Sequence, residues 1–129
     1  MSDHPAPTHV PRSALELLDA KVTRDGGSLR YLEGGRYGLV TSVFESEIVP
    51  GSGPRPHTHT YAEIFVLHEG QGRYFVDEES FDAEAGDIVI IPPETQHHFI
   101  NTGSGPLRHT AVHEAPAQAA TFIDGSESL

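Results

Sequence analysis

Short runs of β-branched and aromatic residues, each closed by turn residues, set the tightest limit on what this chain can fold into. They span residues 28–32, 37–49, 61–67, 73–76, 87–91, 97–100, 107–113 and, more weakly, 120–123. Glycine, proline and acidic clusters separate them, among them Glu69-Gly70-Gln71-Gly72, Asp77-Glu78-Glu79 and Pro92-Pro93. Many short strands at regular spacing with little helix predict an all-β sandwich or barrel. Glu33-Gly34-Gly35-Arg36 joins the first two runs as a Gly-Gly hairpin signal. In the 61–67 run, Ile64 and Val66 take one parity, and Phe65 and Leu67 the other. A strand that is apolar on both faces needs a cover on each. One face can fill the barrel interior. The other must pack on further strands, on the N-terminal segment or on a second subunit, which predicts a homodimer.

The ends read differently. Residues 1–12 carry Pro5, Pro7 and Pro11 and few large apolar groups, as a flexible lead-in does. Ser13-Ala14-Leu15-Glu16 fits a capping box, and Leu15, Leu17 and Leu18 follow it. This predicts a short helix over 13–20 that staples the N-terminus to the body. Residues 125–129 read as a frayed tail, leaving 13–124 as one domain of the 129-residue chain.

Composition narrows the function classes. No apolar run is long enough for a membrane span, and Met1-Ser2-Asp3-His4-Pro5 lacks a signal-peptide pattern. Cysteine is absent, which removes disulfides, thiolate metal sites and cysteine nucleophiles and fits a cytoplasmic location. The net charge is −11, with eight scattered Lys and Arg, so the phosphate-neutralising term of nucleic-acid binding is missing. An acidic surface also slows highly anionic ligands, which points to a neutral or monoanionic substrate. Gly51-Ser52-Gly53 and Gly103-Ser104-Gly105 lack the Lys and helix of a phosphate loop.

Histidine is the unusual entry in the composition, with nine copies. It is the commonest metal ligand and binds through a neutral ring nitrogen. Residues two apart share a face of an extended chain, about 6.5–7 Å from each other. In His57-Thr58-His59-Thr60-Tyr61-Ala62-Glu63, His57, His59, Tyr61 and Glu63 therefore fall on one face, which Phe65 and Leu67 continue. Polar groups on an inward apolar face are costly unless something satisfies them, and a divalent cation would do so. Downstream, a strand from Gly86 ends at Pro92, and His97, Phe99 and Asn101 share a face of the next one.

These spacings resemble the two motifs of the cupin superfamily. Gly51, His57, His59, Glu63 and Gly70 match the first motif, and Gly86, Pro92, His97 and Asn101 match the second. Glu94 stands where the family usually has Gly; if that turn needs a positive φ, Glu costs about 1 kcal/mol there. The resemblance covers about residues 37–115, with motifs at 51–70 and 86–101, and the short link is that of small microbial single-domain members. It implies a jelly-roll barrel, the double-stranded β-helix. It also implies that His57, His59, Glu63 and His97 bind one divalent metal, and that Asn101 serves the fold.

Three imidazoles and a carboxylate suit Fe, Mn, Ni or Zn. They leave room for a substrate with two adjacent oxygens and, with a redox-active metal, for dioxygen. The resemblance therefore implies a small metal-dependent enzyme of dioxygenase type. The alternatives are a non-redox isomerase, cyclase or lyase working through a stabilised enolate, and a non-catalytic module that binds or senses a small ligand. Arg55 and Tyr61 are the candidate substrate contacts, Arg55 as a carboxylate anchor near the mouth. Phe44, Phe65, Phe75 and Phe99 read as barrel lining. His4, His9, His68 and His98 read as peripheral. His109 and His113 share one face of a late strand; either could stand behind the metal ligands, but rim or surface positions are the favoured reading.

Overall fold

The computed structural model describes residues 6–18 and 27–122. Within them the chain is almost entirely strand: β1 (Glu16–Leu18), β2 (Ser28–Leu32), β3 (Ser42–Ile48), β4 (His57–Thr58), β5 (Glu63–Glu69), β6 (Gln71–Val76), β7 (Glu79–Glu84), β8 (Ile88–Ile91), β9 (His97–Asn101), β10 (Leu107–His113) and β11 (Thr121–Phe122). Two antiparallel sheets form, in the orders β1-β2-β3-β10-β5-β8 and β11-β4-β9-β6-β7. They enclose the barrel interior, as the sequence predicts.

Period-two alternation decides what points inward. On β3, Ser42, Phe44, Ser46 and Ile48 are buried while Glu45 and Glu47 are exposed. On β10, Leu107, His109, Ala111 and His113 are buried. Phe65 and Leu67 on β5 and Tyr74 on β6 complete a core in which the Phe65 and Tyr74 rings meet at 5.4 Å between centroids. Phe44, Phe65 and Phe99 line the interior as expected. Phe75 does not: Tyr74 takes the inward parity on β6, and Phe75 stacks on His98 outside, at 4.4 Å.

The expected N-terminal helix is replaced by a 3-10 turn, Arg12–Ala14, followed by strand β1; residues 19 and 20 lie outside the described part. No side chain caps the turn, and Leu17 is 61% exposed. Pairing with β2, in the register Glu16↔Tyr31 to Leu18↔Leu29, gives this segment a ladder that a short helical signal cannot outweigh. The tail 125–129 also lies outside the described residues.

The Gly34-Gly35 signal marks a different event from a tight hairpin turn. Strands β2 and β3 do pair antiparallel, but through a longer connection whose Gly34–Tyr37 portion is a 3-10 turn. A Cβ on Gly34 would overlap the Thr41 carbonyl oxygen, so only glycine fits. Its N–H donates to Ser42 Oγ at 3.1 Å, and Ser42 Oγ donates to the Ala115 carbonyl at 2.8 Å. Two strands have no clear sequence signal: β4 is very short, and β7 is an acidic edge strand that buries only Ala83.

The outer face of β5 and β8 keeps an apolar strip. Ile64 pairs with Ile90 and Val66 with Ile88, and Ile90 and Ile88 are 67% and 63% exposed. Among the described residues, no helix is long and apolar enough to cross a membrane.

Candidate metal centre

The two motif segments meet because β4 pairs with β9 at a single point, His57↔His97. Their rings lie 4.3 Å apart between centroids. His59 follows β4, and Glu63 opens β5 opposite His113 on β10. One ligand atom from each of His57, His59, Glu63 and His97 lies within 4.8 Å of the others, and all four residues are buried. The motif glycines take the left-handed backbone region. Gly51, Gly70 and Gly86 all take positive φ, at 80°, 84° and 96°. Glu94 does so too, at 65°. Its departure from the family pattern therefore carries the left-handed cost of about 1 kcal/mol. The Glu94 N–H donates to the His59 carbonyl at 2.7 Å, docking that turn on the ligand segment.

The hydrogen bonds fix the tautomers. His57 Nδ1 lies 2.7 Å from the Arg55 carbonyl, His59 Nδ1 2.5 Å from that of Ala119, and His97 Nδ1 2.9 Å from that of Thr95. A carbonyl only accepts, so each Nδ1 carries the proton and each Nε2 keeps its lone pair. His59 and His97 Nε2 then stand 3.1 and 3.0 Å from Glu63 Oε1. Among neutral imidazoles these are acceptors facing an acceptor, and His59 Nε2 is buried without a hydrogen-bond partner. A divalent cation held by these groups would turn that repulsion into ligation, so the donor set fits one. Burial, aided by neighbouring His97, pushes His57 down to about 3, leaving it neutral and ready to ligate. Burial alone would raise the Glu63 carboxyl. The hydrogen bond donated by His113 leads the effects that outweigh it and hold the group well below the carboxylate range.

His113, expected at the rim, is 4% exposed and lies inside. Its Nε2 donates to Glu63 Oε2 at 3.1 Å. Its Nδ1 accepts from the Tyr61 hydroxyl at 2.6 Å, and that hydroxyl in turn accepts the Ala119 N–H at 3.0 Å. Burial raises Tyr61 to about 12, so it stays a donor. Oε2 is thereby occupied and Oε1 is left for the cluster. The parity of β10 is readable in the sequence, but its register against β5 is not, and only the register places His113 opposite Glu63. His109 is a second buried histidine that the sequence places outside; it is 2% exposed. His9 and His68 are peripheral as expected: His9 is exposed, and His68, also exposed, bonds Thr110 Oγ1 at 2.7 Å. His4 lies outside the described residues.

A narrow cavity of about 60 Å³ adjoins the cluster, walled chiefly by Phe44, Phe65, Phe99, Ala111 and Phe122. Arg55 is exposed, with its guanidinium 4.3 Å from the centre of the Phe122 ring, in cation–π geometry.

The profile of the Cupin domain family matches residues 44–113. An uncharacterized protein of Methanocaldococcus jannaschii is 37% identical over 102 residues, covering 77% of this chain and 82% of that protein. A 1-hydroxy-2-naphthoate 1,2-dioxygenase of a Nocardioides strain is 25% identical over 107 residues, covering 80% of this chain and 28% of the enzyme. Among solved structures, the oxalate decarboxylase of Bacillus subtilis, studied for its Mn(II) centres, superposes with a TM-score of 0.73 at 19% identity. That match covers 80% of this chain and 29% of the decarboxylase chain. This chain therefore spans under a third of both named enzymes, and the decarboxylase likeness is one of fold.

Proposed function

This chain belongs to the cupin domain family, and we propose that it is a metal-dependent enzyme acting on a small oxygenated carbon compound. His57, His59, Glu63 and His97 would hold one divalent ion, and the supporting observation is the convergence of their four buried ligand atoms within 4.8 Å. When bound, such an ion supplies a Lewis-acidic centre that polarises a carbonyl or acidifies a hydroxyl and, if redox-active, handles dioxygen. Iron, manganese, nickel and zinc all suit the donors. Manganese ranks first because the Bacillus decarboxylase is described with Mn(II) centres.

The protein's own groups have separate tasks in this reading. The three Nδ1–H bonds to carbonyls hold the imidazoles in their ligating tautomer. His113 and Tyr61 keep Glu63 oriented. The ring wall excludes water, and Arg55 contacts an incoming carboxylate. Cavity size limits the substrate. The narrow space beside the cluster favours compact ligands such as two- to three-carbon hydroxy acids, keto acids and diketones.

Oxidative chemistry of dioxygenase type is the first assignment, and a redox-neutral isomerase, cyclase or lyase is the second. Oxygen uptake over a panel of such compounds decides between them. The first reading expects uptake with iron- or manganese-loaded protein and none with zinc. Anaerobic turnover by zinc-loaded protein would transfer the assignment to the second. Tight binding with no turnover under either condition would make the protein a small-ligand binding module.

A second copy of this chain is the proposed cover for the Ile64, Val66, Ile88 and Ile90 strip, which carries none of the charge that makes the chain strongly acidic. Sedimentation should give twice the 14.0 kDa chain mass, and a monomer at micromolar concentration would overturn this. Absence of cysteine suits the reducing cytoplasm, where we place the protein.

A further inference from the structure

One buried, titratable side chain on the cavity wall has no part in the cation cluster. His109 sits on β10, on the same inward face as His113. It lines the cavity, and its ring packs between Phe65 and Phe99 at 4.9 Å from each. A histidine among aromatic rings is a costly choice for a core position that Phe or Leu would fill. One partner accounts for half of its polarity: its Nδ1 lies 3.2 Å from the Tyr74 hydroxyl.

Tyr74 is 1% exposed, and its hydroxyl makes no other hydrogen bond among the described residues. The O–H hydrogen therefore has His109 Nδ1 as its acceptor. The proton of a neutral imidazole then sits on Nε2. Burial keeps the ring neutral, pushing its pKa down to about 4. Outside the ligand cluster and His113, the cavity wall is aromatic and aliphatic apart from Ser46, and His109 brings one N–H donor to it.

We propose that His109 is a substrate-orienting residue whose Nε2–H, fixed by Tyr74, binds an acceptor oxygen on the substrate distal to the atoms held at the cation cluster. The substrate class is then a compact molecule with two chelating oxygens and a third oxygen beyond them, as in a short α-hydroxy or α-keto acid. This deepens the metal-enzyme reading and rests on it. A hydrophobic pocket discriminates weakly between ligands of equal size. A single buried donor discriminates strongly, because a ligand without the matching oxygen leaves it unpaired.

Two chelators of equal heavy-atom count test this on Co(II)-loaded protein, read by its visible absorption. Glycolate carries a third oxygen, and acetohydroxamate carries a methyl in its place. His109→Phe should weaken glycolate binding by about tenfold or more and leave acetohydroxamate within about twofold. His109→Gln, which keeps an N–H donor, should recover part of the glycolate affinity. Tyr74→Phe, which frees the tautomer, should lose several-fold for glycolate alone. If His109→Phe disturbs the fold, seen as a fallen melting temperature, the Gln and Tyr74→Phe variants carry the comparison. Equal losses for both chelators, or none for either, overturn the assignment of His109. Failure of the wild-type protein to take up Co(II) overturns the metal reading instead.

Discussion

Replacing Glu63 by glutamine should weaken divalent-metal binding by about a hundredfold or more. The change is nearly isosteric, so packing is spared and the effect reports charge. Glu63 is the one anionic ligand in the cluster, and its Oε1 faces two imidazole lone pairs. Substituting groups that merely support a ligand typically costs about 10–100-fold in affinity, and losing an anionic ligand should exceed that range. His113→Phe gives the graded comparison. It leaves all four ligands in place but removes the donor to Oε2, so its effect should fall inside that range. Competition titration against a chelator of known affinity measures both. Wild-type affinity in Glu63→Gln, or a larger loss in His113→Phe than in Glu63→Gln, would refute this division of roles.

The second large effect is on stability. Asn101→Ala should cost about 3 kcal/mol, lowering the melting temperature by roughly 10 °C or more. Asn101 is 1% exposed and its side chain has every polar atom engaged. Nδ2 donates to the carbonyls of Ile48 and Gly105, both at 2.9 Å, and Oδ1 accepts the Gly103 N–H at 2.8 Å. Truncation leaves the Ile48 carbonyl without its buried donor and removes the part-buried bonds to Gly103 and Gly105. The same residue's backbone bonds Gly51 and Ser52, so it ties the β9 end to the turn that opens the first motif. Metal stoichiometry below the transition should be unchanged. A cost under about 1 kcal/mol would show that this network is dispensable.

The residues that made the site legible are those with rigid spacing requirements. His57, His59 and Glu63 lie close together in the chain, and strand parity puts them on one face without knowledge of the fold. His97 needed the family resemblance, because nothing local announces that β9 pairs with β4 at His57. His113 and His109 were misplaced for the same physical reason in sharper form. Parity on β10 was visible, but whether that face looks inward depends on pairing with β3 and β5. That pairing is set by partners distant in sequence, in the register His109↔Leu67 and His113↔Glu63. The N-terminal helix failed differently. A local capping pattern competed with a strand ladder offered by β2, and the ladder won. The Gly34-Gly35 pair reads as a tight-hairpin signal, whereas in the structure Gly34 is required by close approach to Thr41 within a longer connection. Glu94 shows the converse: the positive φ that the motif demands is present even though the residue is not glycine.

A buried carboxylate facing two buried imidazole lone pairs is an arrangement that costs several kcal/mol unless a cation completes it. The most direct measurement is therefore elemental analysis of protein purified without an affinity-tag metal, before and after incubation with Fe(II), Mn(II), Ni(II) or Zn(II). The expected result is one tightly held divalent ion per chain, lost in Glu63→Gln. Protein that carries no ion as isolated, and takes up none from any of the four, would contradict the account.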